Sequence, residues 1–471
     1  MTVLAIDQGT SGTKAVVVGD QGEILAVAEA TVRPTYLPDG GVEHDPQQLL
    51  DSVLASGRQA VEQSGSRVEA VSIANQGETV LVWDPDSGAP LSAAVVWQDR
   101  RSEALCRSKS EAAQRIADRT GLVLDPYFSA PKMAWLRQNV TSDGVVTTTD
   151  TWLAHHLTGE FVTDTTTASR SLLTDIDTTK WDDELLELFG LAAEPLPTIV
   201  ANDAVIGETD AFGAPTVVGG LIVDQQAALL AQRCLTPGAA KATFGTGVFV
   251  LANVGNTPVR SSTGLTCSVA WQLRDTNTYC VDGQAYTAAS AIRWMIDLGL
   301  ITSAADLDLV AADDPGTVMF SPALAGLAAP WWRPDATAAL TGMTLATTRA
   351  DVIAAVLYGL AAQTAEVITA IDGDLTDALD TLRVDGGLTR STRLMQACAD
   401  VTGLPVEVSP SPHATALGAA ACARLATDST LSVDDAVAAW TPSTTYSPRW
   451  SADRAADFRH RWRSAVTATL S

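Results

Sequence analysis

The chain has 471 residues, 46% hydrophobic and 18% charged, which is enough for two or three domains with sizeable cores and excludes global disorder. Its formal net charge of −25 argues against nucleic acid and anionic membrane as partners. Six scattered cysteines form no CxxC pair and no zinc spacing, no apolar run reaches ~18 residues, and the apolar start runs straight into Asp7, so a cytoplasmic protein with buried thiols, no signal peptide and no membrane span is expected.

Residues 3–6 read as a buried strand ending at Asp7, and residues 15–18 as a second β-branched strand. Between them lies Gln8-Gly9-Thr10-Ser11-Gly12-Thr13-Lys14. Such a bend can surround an anion with backbone N–H groups and hydroxyls, with Lys14 as a cation and Asp7 as a hard carboxylate for Mg²⁺. An ordinary N-terminal hairpin with a polar tip has the same composition, so both readings stand at this point. It is not a Walker loop, because no Gly-Lys-Ser/Thr opens a helix here.

A strand is expected over 23–32, a helix over 47–63, strands over 68–74 and 80–83, and a helix over 102–118. A short strand then gives way to a helix starting at Asp150, and the Val/Gly-rich run before Asp224 leads into a helix ending near Arg233. Pro237 and Gly238 break the chain, giving a boundary between residues 1–236 and 237–471. The opening pattern then returns: strand 241–244, bend Gly245-Thr246-Gly247, strand 248–252. Further strands follow over 264–273, 278–281, 382–384 and 406–408, with helices over 394–402 and 414–425. The Ser/Thr/Arg-rich tail after Trp440 reads as peripheral. Two α/β halves of duplicated design around a cleft is the expected architecture. Two facing Gly/Thr bends suit a polyphosphate, and Asp7 and Asp224, both at strand ends, suit a metal role and a base role in phosphoryl transfer. Lys132 and Lys241 are readable as surface lysines and stay outside the expected site. No GxSxG elbow supports a hydrolase.

Taken in order, DQGTSGTK, GGVEHDP (40–46), NQGET (75–79), WQDRR (97–101), DPYFSAPKMAWL (125–136), VDQQAAL (223–229), FGTGVF (244–249), GLAAPWW (326–332), VDGGLTRS (384–391) and ATALGAA (414–420) resemble the FGGY carbohydrate kinases, most of all the glycerol kinases. The resemblance implies two ribonuclease-H-like domains of the actin-like ATPase type. It also implies ATP and Mg²⁺ as cofactors, and phosphorylation of a terminal hydroxyl on a small polyol or sugar. By position it implies Asp224 as catalytic base and Asp7 as the metal-associated carboxylate. Thr10, Ser11, Gly12, Lys14, Gly245 and Thr246 fall at phosphate contacts. Ala289, Arg293, Gly387 and Ser391 fall at nucleotide positions. Glu78, Trp97, Tyr127, Asp224, Gln225 and Phe249 fall at acceptor contacts.

The departures are informative. Gly77 stands where glycerol kinases carry an arginine, which removes charge-assisted donors and opens space, so an acceptor larger than glycerol is expected. Xylulose or another four- to five-carbon polyol or sugar is the alternative acceptor, and a non-catalytic sugar-binding regulator is the alternative of another class. Lys14, Ala289, Arg293, Ser391 and Tyr358 also differ from the common residues. Members of the family often pair, which allows a homodimer.

Overall fold

The computed structural model describes residues 1–38, 40–376 and 378–470. Strand β1 (Val3–Gly9) opens the first sheet, and its four apolar residues Val3 to Ile6 are fully buried, as a strand covered on both faces requires. β2 (Gly12–Val18) returns antiparallel across the Thr10–Ser11 turn, with Gly9 opposite Gly12. β3 (Ile24–Thr31) continues the meander. Helix α1 (Pro46–Ser64) starts where the Asp45 side chain accepts from the Gln47 N–H, and it stops at left-handed Gly65. β4 (Ala70–Asn75) lies parallel to β1. β5 (Val205–Thr209) pairs antiparallel with β6 (Thr216–Val223), which lies parallel to β4. The order is β5-β6-β4-β1-β2-β3. Helix α2 (Asp224–Ala231) leaves directly from the end of β6.

The second sheet repeats the plan. β7 (Ala240–Phe244), β8 (Val248–Gly255), β9 (Thr266–Leu273) and β10 (Thr276–Ala285) are joined by antiparallel pairings. Helices α3 (Ala289–Asp297) and α4 (Arg349–Asp374) follow. β11 (Leu382–Asp385), helix α5 (Thr392–Thr402) and β12 (Val406–Val408) then add parallel strands beside β7. The order runs β9-β10-β8-β7-β11-β12, with one further strand at the end. In each sheet three antiparallel strands are extended by two parallel ones: β3-β2-β1-β4-β6 and β10-β8-β7-β11-β12. The equivalence reaches single residues. A Cβ on Gly12 would sit 2.7 Å from the Ala30 carbonyl oxygen, and one on Gly247 would sit 2.3 Å from that of Ala285. Each bend thus needs glycine where its returning strand is crossed by the third.

Helix α6 (Ala414–Thr427) belongs by sequence to the second half yet lies on the first sheet. Its Ala416, Ala419 and Ala420 share a core with Val3, Ala5, Val16 and Ile222. Gly418 lies so close to α2 that a Cβ would come within 1.9 Å of the Ala227 carbonyl oxygen. Small residues are what let two helices fill this seam. We propose the boundary at 236/237, with α6 as the element that crosses it.

Two expectations are corrected, and one long apolar helix is placed. The 102–118 helix is broken into Glu103–Ser108, a 3-10 turn at Ser110–Ala112, and Ala113–Thr120, with Lys109 drawn away to the Leu188 carbonyl. Helix α4, 26 residues long, is the one described helix long and apolar enough to cross a membrane, and its most apolar stretch is 89% buried inside the protein. The tail is not peripheral. β13 (Thr444–Tyr446) closes the second sheet, and α7 (Ala452–Ala468) inserts Phe458, Trp462 and Val466 into the core. The Trp462 indole N–H donates to the Phe320 carbonyl at 2.8 Å. Trp462→Ala is therefore expected to cost about 3–5 kcal/mol, read as a lowered midpoint in urea unfolding. A loss under 1 kcal/mol would return the tail to the surface.

Candidate active site

The loops that follow the parallel strands β1, β4 and β6, and the bend that follows β7, meet over one cleft of about 230 Å³. Thr10 and Ser11 enter from the first bend, and Gly245 and Thr246 from the second. Gln76, Gly77 and Glu78 follow β4, while Asp224 and Gln225 open α2. Trp97, Tyr127 and Phe249 supply aromatic walls, and Trp97 meets the other two rings edge-on at 5.6 and 5.8 Å between centroids. The Trp97 indole N–H donates to Thr10 Oγ1 at 2.9 Å, tying the wall to the first bend.

Glu78 is not a solvated strand-end charge. It is 3% exposed and holds a left-handed backbone, φ 61°, rare for a non-glycine residue and concentrated at functional sites. Its carboxylate takes the Nε–H of Arg170, whose Nη1 reaches Asp282 Oδ1 at 3.0 Å and whose Nη2 reaches the Tyr127 hydroxyl at 3.3 Å. Arg170 is a residue the sequence reading missed. Its one signal is a lone cation in the otherwise uncharged run TTASRSLL.

Lys132 and Lys241 are corrected as well, for both are fully buried. The Lys132 ammonium donates to the carbonyls of Pro126, Tyr127 and Phe128 at 2.9, 2.5 and 2.6 Å, and so fixes the turn that presents Tyr127. Burial pulls its pKa down to about 8, against nearby carboxylates such as Glu78. Lys241 donates to Thr243 Oγ1 at 2.7 Å and to Gln225 Oε1, beside the start of α2.

Asp224 does not cap its helix. Val223 occupies that position, and Asp224 Oδ1 accepts only the Gln225 N–H at 2.6 Å. Burial, then the charges of Asp7 and Glu78, push its carboxyl up to about 7, with Lys241 opposing. Burial pushes Asp7 up to about 6, with Lys14 opposing. No cluster of three or more metal-type side chains occurs among the described residues. Mg²⁺ asks for less: one or two carboxylates, the rest water and phosphate oxygen. Two under-neutralised carboxylates near the bends fit that demand.

The same two groups set a pH dependence. A carboxyl whose folded pKa is raised leaves the native chain holding more protons than the unfolded one between about pH 4 and 7, so its contribution to stability falls as pH rises. Ligand-free Asp224→Asn is therefore expected to gain thermal midpoint over wild type at pH 7.5 and to keep less than half of that gain at pH 5. An equal gain at both pH values would mean Asp224 is not strained by its charge.

The remaining expected residues do not line the cleft. Gly12 and Lys14 lie behind the first bend, where Lys14 faces Glu29 at 3.4 Å. Ala289 opens α3, its N–H on the Gly245 carbonyl at 3.1 Å. Arg293 is exposed and pairs with Asp297 at 3.2 Å. Gly387 has open space where a Cβ would stand. The Ser391 hydroxyl caps α5 and donates to Asp308 Oδ1 at 2.8 Å, so the protein itself uses it.

Two family models match the chain: the N-terminal domain of the FGGY family of carbohydrate kinases over residues 2–231 and its C-terminal domain over residues 240–427. Among curated relatives, a glycerol kinase of Bordetella parapertussis is 40% identical over 98% of this chain and 96% of its own. One from Thermus brockianus is 40% identical over 98% and 97%. Among solved structures, Plasmodium falciparum glycerol kinase with ADP superposes with a TM-score of 0.92 at 31% identity over 100% of this chain and 98% of its own. A ligand-bound xylulose kinase of Lactobacillus acidophilus, at 20% identity and a TM-score of 0.90 over 100% and 98%, shares the fold.

Proposed function

The chain belongs to the FGGY family of carbohydrate kinases, and from that premise we propose which acceptor it takes and which residues do the work. It is an ATP- and Mg²⁺-dependent kinase of a small polyol or sugar. The observation that carries the proposal is that both Gly/Thr bends, Glu78 and Asp224 line one cleft.

In this reading the acceptor's C–H faces pack on Trp97, Tyr127 and Phe249, and its hydroxyls bond Glu78, Asp224 and Gln225. Asp224 accepts the proton of the attacking terminal hydroxyl. Thr10, Ser11, Gly245 and Thr246 orient the terminal phosphate of the nucleotide, and Lys14, behind the first bend, adds charge. Ala289, Arg293 and Gly387 stand on the adenosine side, with Ser391 acting through the end of α5. Asp7 would hold Mg²⁺, which would supply charge neutralisation on the phosphates. Closure of the two lobes excludes water from the cleft. Location is cytoplasmic, and partners are small molecules rather than nucleic acid or membrane.

Gly77 decides the acceptor's size. A Cβ there would touch only Val223 side-chain carbons, at 3.2 and 3.6 Å, so the position is kept free of a side chain beside the cleft. An acceptor longer than glycerol follows. ADP release should be measured with glycerol, erythritol, ribitol and xylulose. A four- or five-carbon acceptor is expected to exceed glycerol in kcat/KM. Glycerol ahead of all of them would confine the reading to glycerol itself.

A further inference from the structure

Below the cleft lies a second, smaller cavity of about 20 Å³. Glu78, Tyr127 and Asp224 line both spaces, while Arg170, Gln226 and Asp282 line only the inner one. Its size admits a single water-sized group.

Its walls carry unused hydrogen-bonding capacity of both kinds. Gln226 is 1% exposed, its Nε2 lies 3.5 Å from Ser268 Oγ, and its Oε1 is buried with no partner. Arg170 bonds Glu78, Asp282, Ser268 and Tyr127, which uses four of the five guanidinium N–H groups. A spare acceptor and a spare donor on one small cavity complement a hydroxyl, which donates once and accepts twice. Leaving a buried acceptor bare is unfavourable, so the arrangement calls for an occupant.

We propose that this cavity is an inner acceptor subsite that takes one carbinol hydroxyl beyond the three carbons of glycerol, making a four-carbon polyol the fitted substrate class. The proposal rests on the reading that Glu78, Tyr127 and Asp224 hold the acceptor. The hydroxyl at the end remote from phosphoryl transfer enters between Glu78 and Tyr127, donates to Gln226 Oε1 and accepts from Arg170. A second extra carbon has no room there. Asp282 and Ser268 come from β10 and β9, so the inner subsite is built by both lobes.

The test compares kcat/KM for glycerol, the tetritols erythritol and threitol, and the pentitol ribitol in wild type, Gln226→Met and Gln226→Ala, each checked for folding by thermal melt. Wild type is expected to prefer a tetritol. Gln226→Met, close in shape but without the acceptor, is expected to lower the tetritol-to-glycerol ratio by at least ~10-fold. Gln226→Ala deepens the cavity and is expected to raise the pentitol-to-tetritol ratio by at least ~5-fold, which keeps the test decisive should the Met variant fail to fold. Polyol turnover with both ratios unmoved would mean the cavity holds only a water, and the subsite would fall while the acceptor reading stood. No turnover with any polyol or ketose in wild type would overturn the acceptor reading itself.

Discussion

Asp224→Asn is expected to lower kcat by at least ~10²-fold while a polyol still raises the thermal midpoint of the variant. Asparagine keeps the shape of the side chain and an oxygen for the Gln225 N–H, so the start of α2 is preserved. What it loses is the ability to accept a proton from the attacking hydroxyl. The position suits that task, because a carboxyl pushed up to about 7 is a stronger base than a surface aspartate and is close to the pH at which it must work. The rate should rise with pH as the group ionises, and the acid limb of kcat/KM should be missing in the variant's residual activity. Near-normal turnover would remove the base role from Asp224.

Much of the fold was readable because its strands are covered on both faces. The run from Val3 to Ile6 and the 80–83 strand stand out as short apolar segments bounded by turn residues, and each is a strand in the structure. The duplication was legible from the two Gly/Thr bends, since sterics force glycine at Gly12 and Gly247. Helix α4 escaped notice for the opposite reason: it is buried nearly all round, so it has no polar face to give a helical period. The tail looked solvent-bound because its polar residues outnumber Phe458, Trp462 and Val466, and only packing reveals that these three point inward.

The site divides the same way. Residues on strand ends and bends, such as Thr10, Glu78, Asp224 and Thr246, carry local signatures, and the cleft gathers them. Arg170 and Asp282 act through partners far away in sequence. Arg170 meets Glu78 92 residues upstream and Asp282 112 residues downstream. Nothing local marks such a residue, because the reason for its charge is elsewhere. Gly77 brings no side chain of its own to the cleft, whereas Arg170 reaches Glu78 from beneath the floor.

Arg170→Met is expected to destabilise the protein by about 3–5 kcal/mol. The Arg170, Glu78 and Asp282 side chains are only 5%, 4% and 6% exposed, so removing the cation strands two carboxylates in a site that water barely reaches. Burial already raises the Glu78 pKa, with Arg170 the first group opposing it. Without that opposition Glu78 would be driven further towards its neutral form, and a proton donor would replace the acceptor that the polyol needs. The left-handed backbone at Glu78 would lose the contact that holds its side chain in place. Folding and recognition should therefore fail together, yet separably. Adding Asp282→Asn removes one stranded charge and should recover part of the unfolding free energy, measured in urea. It should not recover the acceptor KM, because Glu78 still lacks its partner. If the double variant regained wild-type KM, Arg170 would be a structural strut alone. If the single variant unfolded within 1 kcal/mol of wild type, the two carboxylates would not depend on it.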